Sequence, residues 1–135
     1  MILLIEDNNE IRETLAELLT IEGFVVETAD CGLHGLQLAF DHVPDLIICD
    51  ILMPGLDGYA VLNALKQNEK TSHIPFIFSS SKAEKLDAQV GMTLGAQYFF
   101  VKPFDEVLLI NCINNCLHLI NSRALAVIGS VVAPV

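Results

Sequence analysis

Apolar residues follow two alternating rhythms along this chain: short unbroken runs, and longer stretches in which they recur every three or four positions. Ile2-Leu3-Leu4-Ile5 leaves no polar position on either strand face, as in a strand covered on both sides, and it stops at Glu6-Asp7. Asn8 or Asn9 can cap the next segment, where Ile11, Leu15, Leu18 and Leu19 keep helical spacing until Gly23. Phe24 to Thr28 predicts a second strand, and Leu33 through Phe40 a helix ending before Pro44. Leu46-Ile47-Ile48-Cys49 is a third strand running into Asp50, followed by the turn-rich Met53-Pro54-Gly55 and Asp57-Gly58. Tyr59, Val61, Leu62 and Leu65 predict a third helix. Pro75 then introduces a strand, Phe76-Ile77-Phe78, that gives way to Ser79-Ser80-Ser81-Lys82. Leu86, Val90 and Leu94 mark a fourth helix, Tyr98 to Val101 a fifth strand ending at Lys102-Pro103, and Val107 to Ile120 a fifth helix. Five such alternations with short connections predict an α/β fold, a (βα)5 doubly wound parallel sheet.

The 135 residues suit one domain that buries a core without disulfides. Seven Lys and Arg against 17 Asp and Glu give a net charge of -10, which repels polyanions and argues against direct nucleic-acid binding. Cys31, Cys49, Cys112 and Cys116 lack a CxxC spacing, and no signal-peptide pattern opens the chain, so reduced thiols in a cytoplasmic protein are expected. Cys112 and Cys116 lie one helical turn apart, but no His or second Cys pair completes a ligand set; core packing is the expectation. The apolar tail of residues 124–135 is far shorter than the roughly 20 residues of a membrane span. A linker, a strand and a docking segment all remain open for it.

In an open α/β sheet the C-terminal strand ends share one edge, and ligands bind there at the topological switch point. Glu6 and Asp7, Asp50, Ser80 and Lys102 each follow directly on an apolar run. Two carboxylates about 4 Å apart repel by roughly 4 kcal/mol at an effective dielectric near 20, so three acids in one pocket call for a cation. Oxygen ligands specify a hard one, and Mg²⁺ or Mn²⁺ fits. Asp50 is the candidate nucleophile, with Lys102 and Ser80 as donors to an incoming anion.

Ile5-Glu6-Asp7-Asn8, Asp50 through Gly58, Ser80-Ser81-Lys82-Ala83-Glu84, Gly95-Ala96 and Lys102-Pro103-Phe104, in this order and spacing, resemble the receiver domains of two-component response regulators. The resemblance runs from Met1 to about Arg123, giving a receiver over residues 1–123 and a tail over 124–135. It implies a flavodoxin-like sheet in strand order 2-1-3-4-5. It further implies that Asp50 accepts a phosphoryl group from a sensor histidine kinase or histidine phosphotransfer protein. Asp7 would be a direct metal ligand, Glu6 a ligand through water, and Leu52 a ligand through its carbonyl. Ser80 and Lys102 would hold the transferred group, and the Lys102-Pro103 peptide would be cis. Such a domain catalyses only its own phosphorylation and dephosphorylation, unlike an ordinary enzyme. Ser80 and Phe99 would form the switch, with Phe99 turning inward as Ser80 moves. The readout would be a downstream effector or a homodimer on the face of the fourth helix, fifth strand and fifth helix. Leu52 and Lys82 border the implied path of water and cannot accept its proton, so a long-lived phospho-Asp50 is expected.

Ser80 stands where Thr is commoner in the family and is flanked by Ser79 and Ser81, so which serine serves is open, with spacing favouring Ser80. Two other function classes compete. An aspartyl phosphatase or phosphotransferase on a related sheet generally needs an acid two residues after the nucleophile, where this chain has Leu52. A phosphorylation-independent interaction module would keep the fold without the complete set of acids, hydroxyl and lysine.

Overall fold

The computed structural model describes residues 1–81 and 85–121. Strands and helices alternate throughout: β1 (Ile2–Ile5), α1 (Asn9–Ile21), β2 (Val26–Ala29), α2 (Gly32–His42), β3 (Leu46–Asp50), α3 (Gly58–Lys66), β4 (Phe76–Ser80), α4 (Lys85–Thr93), β5 (Tyr98–Val101) and α5 (Glu106–Asn121). All neighbouring strands are parallel, in the order β2-β1-β3-β4-β5. The fold is therefore the five-stranded, flavodoxin-like sheet that the sequence predicts, and the 124–135 tail lies outside the described residues.

Side-chain alternation divides the core in two. Leu3, Ile5, Ile47, Cys49, Phe76, Phe78 and Phe99 face α2 and α3, meeting Leu36, Ala39, Val61, Leu62 and Leu65. Ile2, Leu4, Leu46, Ile48, Ile77, Tyr98 and Phe100 face α1 and α5, meeting Leu15, Leu19, Leu109 and Ile113. Cys112 and Cys116 belong to that second layer, where burial pushes their thiols up to about 11 and about 12. They stay protonated and pack as small apolar groups, as expected. Each large apolar side chain so buried contributes about 1.5–3 kcal/mol, and rows of them outweigh the repulsion among acids held at the strand tips.

Two strand boundaries differ from the sequence reading. β2 begins at Val26 because Phe24 still belongs to the end of α1: its N–H donates to the Leu19 carbonyl at 3.1 Å, behind Gly23 at φ 97°. β4 runs two residues beyond Phe78, since Ser79 pairs with Asp50 and Ser80 with Val101. Polar composition hid a strand end that the ladder hydrogen bonds extend.

Candidate functional site

The reversal in strand order falls between β1 and β3, and their C-terminal ends open the crevice. Glu6 leaves β1 with its N–H bonded to the Ala29 carbonyl at 3.0 Å, and Asp50 is the last residue of β3. One carboxylate oxygen each from Glu6, Asp7 and Asp50 lies within 4.8 Å of the others. Glu6 and Asp50 are buried, at 2% and 6% exposure, while Asp7 faces solvent.

Lys102 enters from β5 across the sheet. Its Nζ forms a close ion pair with Glu6 Oε1 and a second with Asp50 Oδ2 at 3.3 Å. The lysine thus contacts two acids at once. Burial pushes the Glu6 carboxyl above its ordinary range; the Lys102 hydrogen bond and the Asn8 N–H at 3.1 Å oppose that shift, and the Asp50 charge reinforces it. The Lys102-Pro103 peptide is cis.

Local sequence explains how each acid is held. Asn8 caps α1 by accepting from the Ile11 N–H at 3.0 Å, so the helix starts immediately after the acid pair. Asp57 caps α3 in the same way, through the Ala60 N–H at 2.9 Å. Gly58 then brings α3 against the loop after Asp50: its N–H bonds the Ile51 carbonyl at 2.9 Å, and a Cβ there would stand 2.4 Å from the Asp50 carbonyl oxygen. The Leu52 N–H lies 3.4 Å from Asp50 Oδ1, and the Leu52 side chain is 48% exposed beside it.

The two serines part by strand alternation. Ser79 continues the face of Ile77 and lies level with Asp50, whereas Ser80 continues the face of Phe76 and Phe78, which is also that of Phe99. Both are buried. Phe99 already lies inside the core, at 1% exposure, in the layer that α4 approaches where Gly91 meets the Phe78 ring. Lys82 falls outside the described residues.

Glu6, Asp7, Asp50 and Lys102 are therefore brought together from three strands. The donor set consists only of oxygens, with two buried acids and one exposed acid beside a cationic side chain. That composition fits a hard divalent cation that keeps part of its water. Arg12 is the group that sequence reasoning missed: its Nη1 donates to the Glu6 carbonyl at 2.9 Å. A signal was present, since a lone arginine early in α1 opposes the helix dipole, which favours acids there.

Comparison with known proteins agrees with this geometry. The family model described as the response regulator receiver domain matches residues 2–114. The transcriptional regulatory protein AfsQ1 of Streptomyces coelicolor is 38% identical over 102 residues, covering 76% of this chain and 44% of that protein. The CpxR homolog of Haemophilus influenzae is 38% identical over 105 residues, covering 78% and 44%. The chain spans about half the length of the curated relatives it matches. Among solved structures, a response regulator receiver domain protein from Clostridium thermocellum superposes with a TM-score of 0.83 at 30% identity, covering 89% of this chain and 95% of that one. The chemotaxis protein CheY4 of Vibrio cholerae gives 0.81 at 28% identity, covering 86% and 97%. Family model, sheet order and the acids gathered at the strand tips agree, and the chain belongs to the response regulator receiver domain family.

Proposed function

We propose that Asp50 is the phosphoacceptor of a two-component signalling switch, taking its phosphoryl group from a phosphohistidine on a sensor histidine kinase or histidine phosphotransfer protein. The observation that carries this reading is the approach of Lys102 Nζ to 3.3 Å from Asp50 Oδ2 inside a cluster of three acids. In the transfer, an Asp50 oxygen bonds to phosphorus, the phosphorus–nitrogen bond breaks, and the imidazole keeps the electron pair. Lys102 exchanges an acid for a phosphoryl oxygen, and the Ser80 hydroxyl donates to another. Positioning and charge neutralisation supply most of the catalysis. Glu6, Asp7, Asp50 and the Leu52 carbonyl would hold Mg²⁺ or Mn²⁺, whose chemistry is to neutralise charge on the transferring group.

Ser80 and Phe99 share one face of the sheet, which supports a switch in which the hydroxyl and the ring move together. The face of α4, β5 and α5 would then engage an effector or a second copy. No direct nucleic-acid contact is assigned to a chain of net charge -10. Among the described residues no helix is long and apolar enough to cross a membrane. A cytoplasmic location belongs to the same reading.

Incubation with acetyl phosphate and Mg²⁺ is expected to add one phosphoryl group by intact mass, and Asp50→Asn or EDTA to prevent it. An unmodified wild type would instead favour a phosphorylation-independent interaction module. A second measurement follows phosphoryl lifetime. Leu52 offers no acceptor to an attacking water, so Leu52→Asn is expected to shorten the life of phospho-Asp50 severalfold, short of the roughly 10²–10⁴ of a full general base. An unchanged decay rate would remove Leu52 from that role.

A further inference from the structure

Arg12 is the only cation in α1, and it does not point along the helix surface toward the acids there. Its guanidinium turns back over the loop. Nη1 donates to the backbone carbonyl of Glu6 at 2.9 Å, and Nη2 to the Asn9 side-chain oxygen at 2.5 Å. That carbonyl belongs to the peptide joining Glu6 to Asp7, so one side chain fixes the backbone from which two of the three clustered acids project. On the other side of the same turn, the Asn8 N–H binds Glu6 Oε2 at 3.1 Å.

Left to themselves, Glu6, Asp7 and Asp50 repel one another. Glu6 is locked in the core and Asp50 ends a central strand, but Asp7 is exposed at the start of a turn. Repulsion would be relieved most cheaply by rotating the Glu6–Asp7 peptide outward, the movement that the Arg12 bond opposes.

We infer that Arg12 is a positioning residue that holds the Glu6–Asp7 peptide so that both acids face Asp50 in a geometry ready for a divalent cation. The inference rests on the reading of these acids as metal ligands. A guanidinium acts on a nearby dication in two opposite senses. Its charge repels the ion, but Arg12 is only partly buried and solvent screens that effect in part. Its anchoring favours the ion, and partners that orient ligands typically change metal affinity 10- to 100-fold. Anchoring is the larger effect, so the sign of the mutation is diagnostic.

Mn²⁺ titration followed by electron paramagnetic resonance, on wild type, Arg12→Ala and Arg12→Lys, tests this. Arg12→Ala is expected to bind Mn²⁺ about tenfold more weakly, with Arg12→Lys between it and wild type because one donor can still reach the carbonyl. Thermal melting in EDTA should show all three fully folded at the titration temperature. Unchanged or tighter binding in Arg12→Ala would reduce the residue to a charge and overturn the proposal. Partial unfolding of Arg12→Ala in EDTA would overturn it too, in favour of a purely structural role. A wild type that binds no Mn²⁺ would instead sink the reading of the acids as ligands, and this inference with it.

Discussion

Lys102→Met is expected to slow phosphorylation of Asp50 by roughly 10²–10³-fold, the range for removing one preorganised donor from a site of charge transfer. Lys102 is the only ion-pair partner of Glu6 and Asp50 among the described residues, and its side chain is the one already placed to meet a phosphoryl oxygen among them. The same substitution leaves three acids without that positive charge, so divalent-cation affinity is expected to rise while the rate falls. The two readouts part only if the lysine serves the transferring group. Rates from acetyl phosphate at saturating Mg²⁺, read by quenched intact mass, decide it. A rate within threefold of wild type would remove Lys102 from the reaction.

Stability should change with pH in a defined sense. Burial is the largest influence on Glu6 and pushes its carboxyl above the ordinary 4.5, and Lys102 opposes that shift. A carboxyl raised in the folded state holds its proton more tightly there than in the unfolded chain. Its contribution is therefore fully present below 4.5 and is lost as pH climbs through the folded value. Without Lys102 the folded value rises further, so the gap between wild type and Lys102→Met should widen from acid toward neutral pH. Truncating one partner of a buried pair costs at most about 3–5 kcal/mol, and because Glu6 can keep a proton, about 2 kcal/mol at neutral pH is expected. Urea denaturation in EDTA across that range measures it.

The site was legible because the fold places its chemistry at strand ends. The apolar runs that end at Glu6, Asp50 and Lys102 are buried strands, and the residue after such a run has one address in an open α/β sheet, so Glu6, Asp7, Asp50 and Lys102 could be read as neighbours before any coordinates. What stayed hidden depends on hydrogen bonds that carry no hydrophobic period. The extension of β4 through Ser79 and Ser80 is written in ladder pairing, and Phe24 reads as strand yet closes α1. Arg12 bonds a backbone carbonyl six residues away, a contact at which only the odd placement of a lone arginine early in α1 hints. The pattern also left Ser79 and Ser81 as rivals of Ser80, which spacing alone favoured, and the register separates Ser79, on the face of Asp50, from Ser80, on that of Phe99.

Gly58→Ala should be among the most damaging single-methyl changes in the chain. Gly58 opens α3 directly beneath the end of β3, where a Cβ would lie 2.4 Å from the Asp50 carbonyl oxygen and 2.9 Å from the Ile51 Cα. Both are backbone atoms of the segment that carries Asp50, so no rotamer change relieves the clash. Either α3 lifts off the core or the Asp50 loop shifts. Overpacking of this kind costs about 1–3 kcal/mol, occasionally more, and the melting temperature is expected to fall by roughly 5–12 °C. Gly55→Ala provides the contrast. Gly55 sits at φ 77° with open space where a Cβ would stand, so its substitution carries only left-handed strain of about 1–2 kcal/mol. The two variants separate on the Asp50 loop: Gly58→Ala should shift the amide resonances of Asp50 and Ile51 and lower phosphorylation, because the carbonyl it displaces belongs to Asp50, the proposed nucleophile. Equal melting losses with undisturbed Asp50 resonances would show that α3 gives way instead, and that the loop holds Asp50 without the close helix start.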